Sequence, residues 1–263
     1  MRRKGDVLLN IYVGVVLVFL ALPIIIVIPA AFNTVPTLGF PPQGLSLKWF
    51  RIAWDYGPFW DALLMSLEIG ALASLISLVI GTLASFAIVR YEFPGRQILD
   101  LLLMTPLVFP AIVLAVALVM VLGPLGFVRS FSGLVFAHVV VTVPYIVRTV
   151  QATLAEIDIS YEEAARTLGA NPLKTFWFVT LPMLRPGLIA GAVFAAIISF
   201  DEFTISLFLV GPGVMTLPLE IYYYTQFKMD PTVAAISTIL IGLTVLVVAL
   251  IERFIGMRRQ FQS

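Results

Sequence analysis

Six runs of apolar residues, each long enough to cross a lipid bilayer, limit what this chain can become. They lie at 7–32, 62–89, 98–122, 133–150, 188–210 and 232–251. The hydrocarbon core of a bilayer is about 30 Å thick, and an α-helix needs about 20 mostly apolar residues to cross it. No water is available there to take up free backbone N–H and C=O groups, so a crossing segment must satisfy them internally, as a helix does. Composition points the same way. Of 263 residues 60% are hydrophobic and 12% charged, against about 25% charged in an ordinary soluble domain. That leaves too little polar surface to coat a soluble fold. The expected fold class is an all-α integral membrane protein of about six transmembrane helices. With so little chain left over, residues 1–263 are expected to form a single transmembrane domain.

Orientation follows from the positive charges, which concentrate on the cytoplasmic side of membrane proteins. Placing the N-terminus inside puts twelve of the 16 Lys and Arg residues in inside segments: Arg2, Arg3, Lys4, Arg90, Arg96, Arg148, Arg166, Lys174, Arg185, Arg253, Arg258 and Arg259. The outside segments keep Lys48, Arg51, Arg129 and Lys228. Both termini are therefore expected in the cytoplasm. The first run is too long for the apolar core of a signal peptide and reads as a retained helix. The net charge of +1 gives no field for nucleic acid, and the absence of cysteine excludes disulfides and thiolate metal sites.

Helices in lipid approach closely where small residues line one face. The second run carries Ala73, Ser77, Gly81 and Ser85 at four-residue spacing, and the fifth carries Gly187, Gly191, Ala195 and Ser199. These stripes predict two closely packed helices in the centre of the bundle. Trp49, Trp54, Tyr56 and Trp60 in the outside segment 33–61, and Tyr222, Tyr223 and Tyr224 in 211–231, read either as an aromatic belt at headgroup level or as contacts for a substrate.

The longest inside segment, 151–186, carries its own helix signals. Ser160 followed by Glu163 fits a capping box. Gly169 is placed to end that helix in a left-handed conformation. Asn171 before Pro172 restarts a helix, with Asn171 as the cap and Pro172 in its first turn. Ala164 and Ala165 would give the first helix a flat face open to close approach, so the segment reads either as an ordered loop or as a projecting surface for another protein.

Glu163-Ala164-Ala165, then Gly169 after three residues, then Val179-Thr180-Leu181-Pro182 after nine more, resembles the EAA loop of binding-protein-dependent ABC importer permeases. Val179 stands where that pattern has isoleucine. The resemblance implies the type I importer permease fold, a bacterial inner (cytoplasmic) membrane location, and a coupling role for Glu163, Ala164, Ala165, Gly169, Leu181 and Pro182. It implies partners as well: an ATP-binding subunit in two copies, a second and related permease subunit, and an extracytoplasmic solute-binding protein. The chain has no G-x-x-x-x-G-K-[ST] phosphate loop. It is expected to be no enzyme and to hold no cofactor, with ATP bound by the partner subunit.

Ionisable residues inside membrane helices cost about 2.5–3.5 kcal/mol at the helix centre on insertion scales and tend to mark pathways. Asp201 and Glu202 sit together in the fifth run, close to Ser199. They read either as part of a cation-attracting pathway or as caps and structural pairs. The segment from Ser199 through Leu209-Val210-Gly211-Pro212 to Thr216-Leu217-Pro218-Leu219-Glu220-Ile221-Tyr222 resembles the smaller permease of spermidine/putrescine importers. By that resemblance Ser199, Asp201, Glu202 and Tyr222 would line a substrate pathway for a polyamine or related small amine. An acid often follows the proline early in the third span of that branch, and Ala111 stands there in this chain. Amino-acid-like solutes and phosphonates stay open. So does a self-contained secondary transporter or channel, although that reading leaves the capped loop unexplained. His138, the only histidine, cannot form a metal site alone and is expected to make a structural hydrogen bond.

Overall fold

The structure, a computed structural model, describes residues 4–260. Arg2 and Arg3, with the side chains of Lys4, Arg253, Arg258 and Arg259, lie outside the described residues. The helices in chain order are α1 Lys4–Ala30, α2 Lys48–Asp55, α3 Gly57–Arg90, α4 Arg96–Val108, α5 Ala111–Leu122, α6 Phe131–Glu156 and α7 Ser160–Thr167. They continue with α8 Pro172–Thr175, a π-helical turn Phe176–Thr180, α9 Leu181–Met183, α10 Arg185–Asp201, α11 Thr204–Leu209, α12 Leu217–Phe227 and α13 Thr232–Gln260. Among the described residues the only strand-like pairing is an isolated bridge between Gly211 and Val214. The chain divides into two compact units, Met1–Phe59 with Ile221–Ser263, and Trp60–Glu220.

Among the described residues three helices, α1, α3 and α6, are individually long and apolar enough to cross a membrane, and up to five spans result if each of two bent pairs is counted as one. A shorter apolar helix covers Thr232–Leu246. Two expected spans are broken. The run at 98–122 is α4 and α5, which meet at 113°. Pro110 explains the break: it forces the preceding residue out of the helical region, and Phe109 is extended at φ −78°, ψ 143°. The run at 188–210 stops at Asp201, where Glu202 is extended at ψ 105°, and a new helix starts at Thr204. The fourth run extends beyond its expected limits of 133–150 to fill the 26 residues of α6.

Within Trp60–Glu220, α6 is the central helix. Both small-residue stripes pack against it rather than against each other alone. A Cβ on Gly81 would come within 2.7 Å of Ile146 Cγ2, and one on Gly191 within 2.5 Å of Thr149 Oγ1. Gly187 lies against Thr153 and the Thr149 carbonyl. The absent side chains let α3 and α10 approach α6 closely enough for hydrogen bonds between helices. Ser77 Oγ is 2.7 Å from Thr142 Oγ1, and Ser85 Oγ donates to the Val147 carbonyl at 3.2 Å. Ile69, Ala73, Ala115, Leu134, Val147 and Ile205 belong to the buried apolar core around these contacts.

In the other unit, Trp49 corrects the aromatic-belt reading. It is buried, and its indole N–H donates to the Asn33 carbonyl at 2.6 Å. Trp54, on the same helix, is exposed. Tyr56, Phe59 and Tyr224 stack edge-on or tilted with centroids 4.7–5.3 Å apart. Lys228 Nζ lies 5.9 Å and 5.6 Å from the Tyr56 and Tyr224 rings. Burial pushes the Tyr224 phenol above its ordinary pKa.

Candidate functional site: helix α7 and its surroundings

The helix α7 is set by caps on both sides, one of them unexpected. Ser160 is not the N-cap, and the expected capping box does not form. Asp158 Oδ1 instead accepts the Ser160 backbone N–H at 2.9 Å, and the Ile159 carbonyl accepts from the N–H groups of Glu162 and Glu163. Hydrogen bonds from Ser160 hold the exposed Asp158 carboxyl below its usual pKa range. At the other end Gly169 has φ +90°. The Gly169 N–H donates to the Arg166 carbonyl and the Ala170 N–H to the Ala165 carbonyl, at 2.9 and 3.0 Å. That pair of bonds is the Schellman closure. Asn171 then caps α8 through Oδ1, which accepts the Lys174 N–H at 2.8 Å, with Pro172 in the first turn.

One strip of α7 and its C-cap leaves apolar residues exposed beside the exposed Glu163, Arg166 and Thr167. Tyr161, Ala164, Ala165 and Leu168 fall at helical positions i, i+3, i+4 and i+7, which share one face. Tyr161, Ala164 and Leu168 are exposed, Leu168 to 89%, and Ala165 is partly exposed. Leu173 just beyond the turn is also exposed. The charged Glu162, by contrast, is buried at 2% exposure.

Glu162 is held by Arg90, the last residue of α3. Arg90 Nε lies 2.9 Å from Glu162 Oε1, and Arg90 Nη2 donates to the Ile157 carbonyl at 3.1 Å. Sequence reasoning named the neighbouring Glu163, which is exposed, and counted Arg90 only as a topology charge. The two partners are 72 residues apart, and no local pattern joins them. Leu181 and Pro182 do not lie on α7. They line an apolar groove of about 520 Å³ with Leu78, Leu83, Trp177 and Leu188.

The expected pathway residues separate into different roles. Ser199 is buried with its Oγ 2.7 Å from His138 Nδ1, and His138 Nε2 lies 3.0 Å from Ser206 Oγ. The histidine thus staples α10 to α11 across their break. Glu202 Oε1 accepts the Ile205 N–H at 2.9 Å and caps α11. Asp201 is exposed at the C-terminal end of α10, with no hydrogen bond or ion pair among the described residues. Tyr222, in the other unit, is exposed to 40% and makes an edge-on contact with Tyr223 at 5.7 Å.

Residues 77–260 match the family described as binding-protein-dependent transport system inner membrane component. The spermidine/putrescine transport system permease protein PotC of Escherichia coli K12 is 31% identical over 244 residues, covering 93% of this chain and 92% of PotC. The putrescine transport system permease protein PotI of the same organism is 30% identical, with 85% and 82% covered. The molybdenum transport system permease protein ModB, also from that organism, is 36% identical over 64% of this chain and 81% of its own length. Among solved structures, a chain of the bacterial ABC transporter that imports the acidic polysaccharide alginate superposes with a TM-score of 0.78, at 16% identity and 97% and 99% coverage. The alginate transporter in complex with an alginate pentasaccharide-bound periplasmic protein gives 0.75, at 17% identity and 96% and 93% coverage.

Proposed function

The chain belongs to the family of binding-protein-dependent transport system inner membrane components, and on that premise we propose how its parts divide the work of import. It is the permease subunit of an ABC importer. A self-contained secondary transporter or channel is not favoured. In the arrangement proposed, the whole chain serves as one permease domain with six spans and both termini in the cytoplasm of a bacterium, in its inner membrane. The helix α7 docks into a groove of an ATP-binding subunit, with Glu163, Ala164, Ala165 and Gly169 at the contact and Leu181 and Pro182 behind it. Two copies of that subunit bind and hydrolyse the ATP. A second, related permease completes the pathway, and an extracytoplasmic solute-binding protein delivers the solute.

The observation that carries the docking role is the outward apolar face of α7, with Leu168 at 89% exposure. Leaving such a face in water is unfavourable, and a fitted partner groove removes the cost. The chain has no cysteine, so a single Leu168→Cys gives a unique cross-linking position. In membranes holding the whole importer, a thiol–amine reagent at that position should capture a protein with a phosphate loop. The same reagent at Leu45→Cys, which is 81% exposed and extracytoplasmic in this topology, should not. Capture from Leu45→Cys and none from Leu168→Cys would overturn the docking role.

For the solute we propose a polyamine or a related small amine. Asp201 supports it. A carboxylate at the C-terminal end of a helix faces the negative pole of the helix dipole, and an unpaired acid in a membrane segment is costly. A passing cation offsets both. The names of PotC and PotI add to this reading, while that of ModB shows that identity at this level also spans other cargo. Asp201→Asn in the assembled importer is expected to lower spermidine or putrescine uptake at least several-fold while the subunits still co-purify. Unchanged uptake would remove Asp201 from the pathway.

A further inference from the structure

A docking helix is useful only if its displacement reaches the membrane segment, and the ion pair behind α7 supplies the connection. Arg90 ends a single unbroken helix of 34 residues, α3. Its guanidinium holds the buried carboxylate of Glu162 on α7 and donates to the carbonyl of Ile157, the residue that closes α6. Arginine suits such a grip, because its planar fork fixes direction as well as charge. The pair is out of water, with 11% and 2% side-chain exposure, so it is little screened by salt.

The far part of the same helix holds a second segment. Ser66 Oγ is buried and accepts the backbone N–H of Leu217 at 2.8 Å, at the start of α12. From Ser66 to Arg90 is a run of helix about 36 Å long at 1.5 Å per residue. Between these points Ser77 and Ser85 keep α3 seated on α6. By contrast, the routes through α4–α5 and through α8–α10 are bent by 113° and 69°. A rigid helix with fixed attachments at both ends transmits a displacement, and a jointed one absorbs it.

We propose that the Arg90–Glu162 pair is the pin through which α7 drives α3, and that α3 is the lever that carries the motion to the start of α12. Arg90 is here a positioning residue: it touches neither ATP nor solute and acts through α7. The proposal rests on the permease reading above. Without the pin, α7 still meets its partner and stays joined to α6 through residues 157–159, but its motion no longer passes directly to α3.

The test uses the complete importer with its binding protein and ATP-binding subunits. Spin labels at Leu64→Cys on α3 and Arg166→Cys on α7, both exposed and the second turned away from the docking face of Tyr161, Ala164 and Leu168, can be introduced without removing any thiol from this chain. With the pin intact, the label–label distance distribution should be narrow and should not change when ATP is added. Arg90→Ala should broaden it or make it ATP-dependent, and should lower solute imported per ATP hydrolysed at least five-fold. The exchange Arg90→Glu with Glu162→Arg should restore both readouts at least in part. A narrow distribution and an unaltered import-to-hydrolysis ratio in Arg90→Ala would overturn the proposal. If Arg90→Ala disturbs both readouts but the charge exchange gives no recovery over either single variant, the pair is not the pin and the proposal also falls. Failure of the unmutated importer to couple uptake to ATP would instead defeat the permease reading itself.

Discussion

Replacing Gly169 with alanine isolates the backbone requirement at the end of α7 from every other effect. At φ +90° a residue with a Cβ is strained, and the left-handed region costs an L-residue about 1–2 kcal/mol. No atom lies within 4 Å of where that Cβ would go, so steric contact with neighbours adds nothing. The whole penalty falls on the closure formed by the Gly169 and Ala170 N–H groups on Arg166 and Ala165. A difference of 1–2 kcal/mol changes the open-to-closed ratio by a factor of about 5–30. Amide hydrogen exchange, followed by mass spectrometry of peptides covering 160–175 in the purified importer, reads this directly. Gly169→Ala should speed exchange of the Gly169 and Ala170 amides by about that factor, and coupled ATP hydrolysis should fall with it. Gly169→Asn should cost much less, because asparagine tolerates the left-handed region. Exchange unchanged in the alanine variant, or equal damage from alanine and asparagine, would refute the conformational argument.

Other positions give expected outcomes of their own. Gly187→Val would place side-chain carbon against Thr153 and the Thr149 backbone carbonyl, an overpacking that costs about 1–3 kcal/mol, and should lower the thermal midpoint in detergent. His138→Ala leaves the buried Ser199 hydroxyl without its partner, while Ser206 keeps its bond to the Glu202 carbonyl; with about 1–3 kcal/mol for a buried group left unsatisfied, the same assay should show a clear loss, and a midpoint equal to wild type would deny the staple. The depressed pKa of Asp158 fixes the sign of a pH effect. Its contribution to α7 is present above the ordinary carboxylate pKa of about 4 and is lost as pH falls through the lower folded value, so Ser160 amide exchange, corrected for its intrinsic pH dependence, should stay protected from pH 7 to 5. Asp158→Ala should remove that protection at every pH, and no change on substitution would deny the cap.

Local chemistry was readable from the sequence and distant pairing was not. Gly169, Asn171 and Pro172 act where their intrinsic preferences put them, because a left-handed turn and an N-cap depend on residues only a few positions away. Ser160 misled for a related reason. The serine and Glu163 fit a capping box, but Asp158, two residues earlier, offers a carboxylate that takes the first free N–H instead. The stripes on α3 and α10 correctly marked close helix packing, yet the helix they pack against is α6, whose larger residues carry no such signature. The break at Phe109 interrupts a hydrophobic run without lowering its hydrophobicity, so a count of apolar residues cannot see it, although Pro110 was a usable sign. The break at Glu202 falls on the acid pair Asp201-Glu202, which the sequence marked as polar without marking the end of a helix. Neither the Arg90–Glu162 pair nor the Ser66–Leu217 bond had any local signal, since they join residues 72 and 151 positions apart.

The central claim is that this chain works as the membrane half of an ATP-driven importer, and co-purification tests it most directly. The tagged chain, extracted in a mild detergent, is expected to bring with it an ATP-binding subunit carrying a phosphate loop and a second permease. The reconstituted assembly should import solute only when ATP is supplied. A chain that purifies alone and transports solute without ATP would contradict the account.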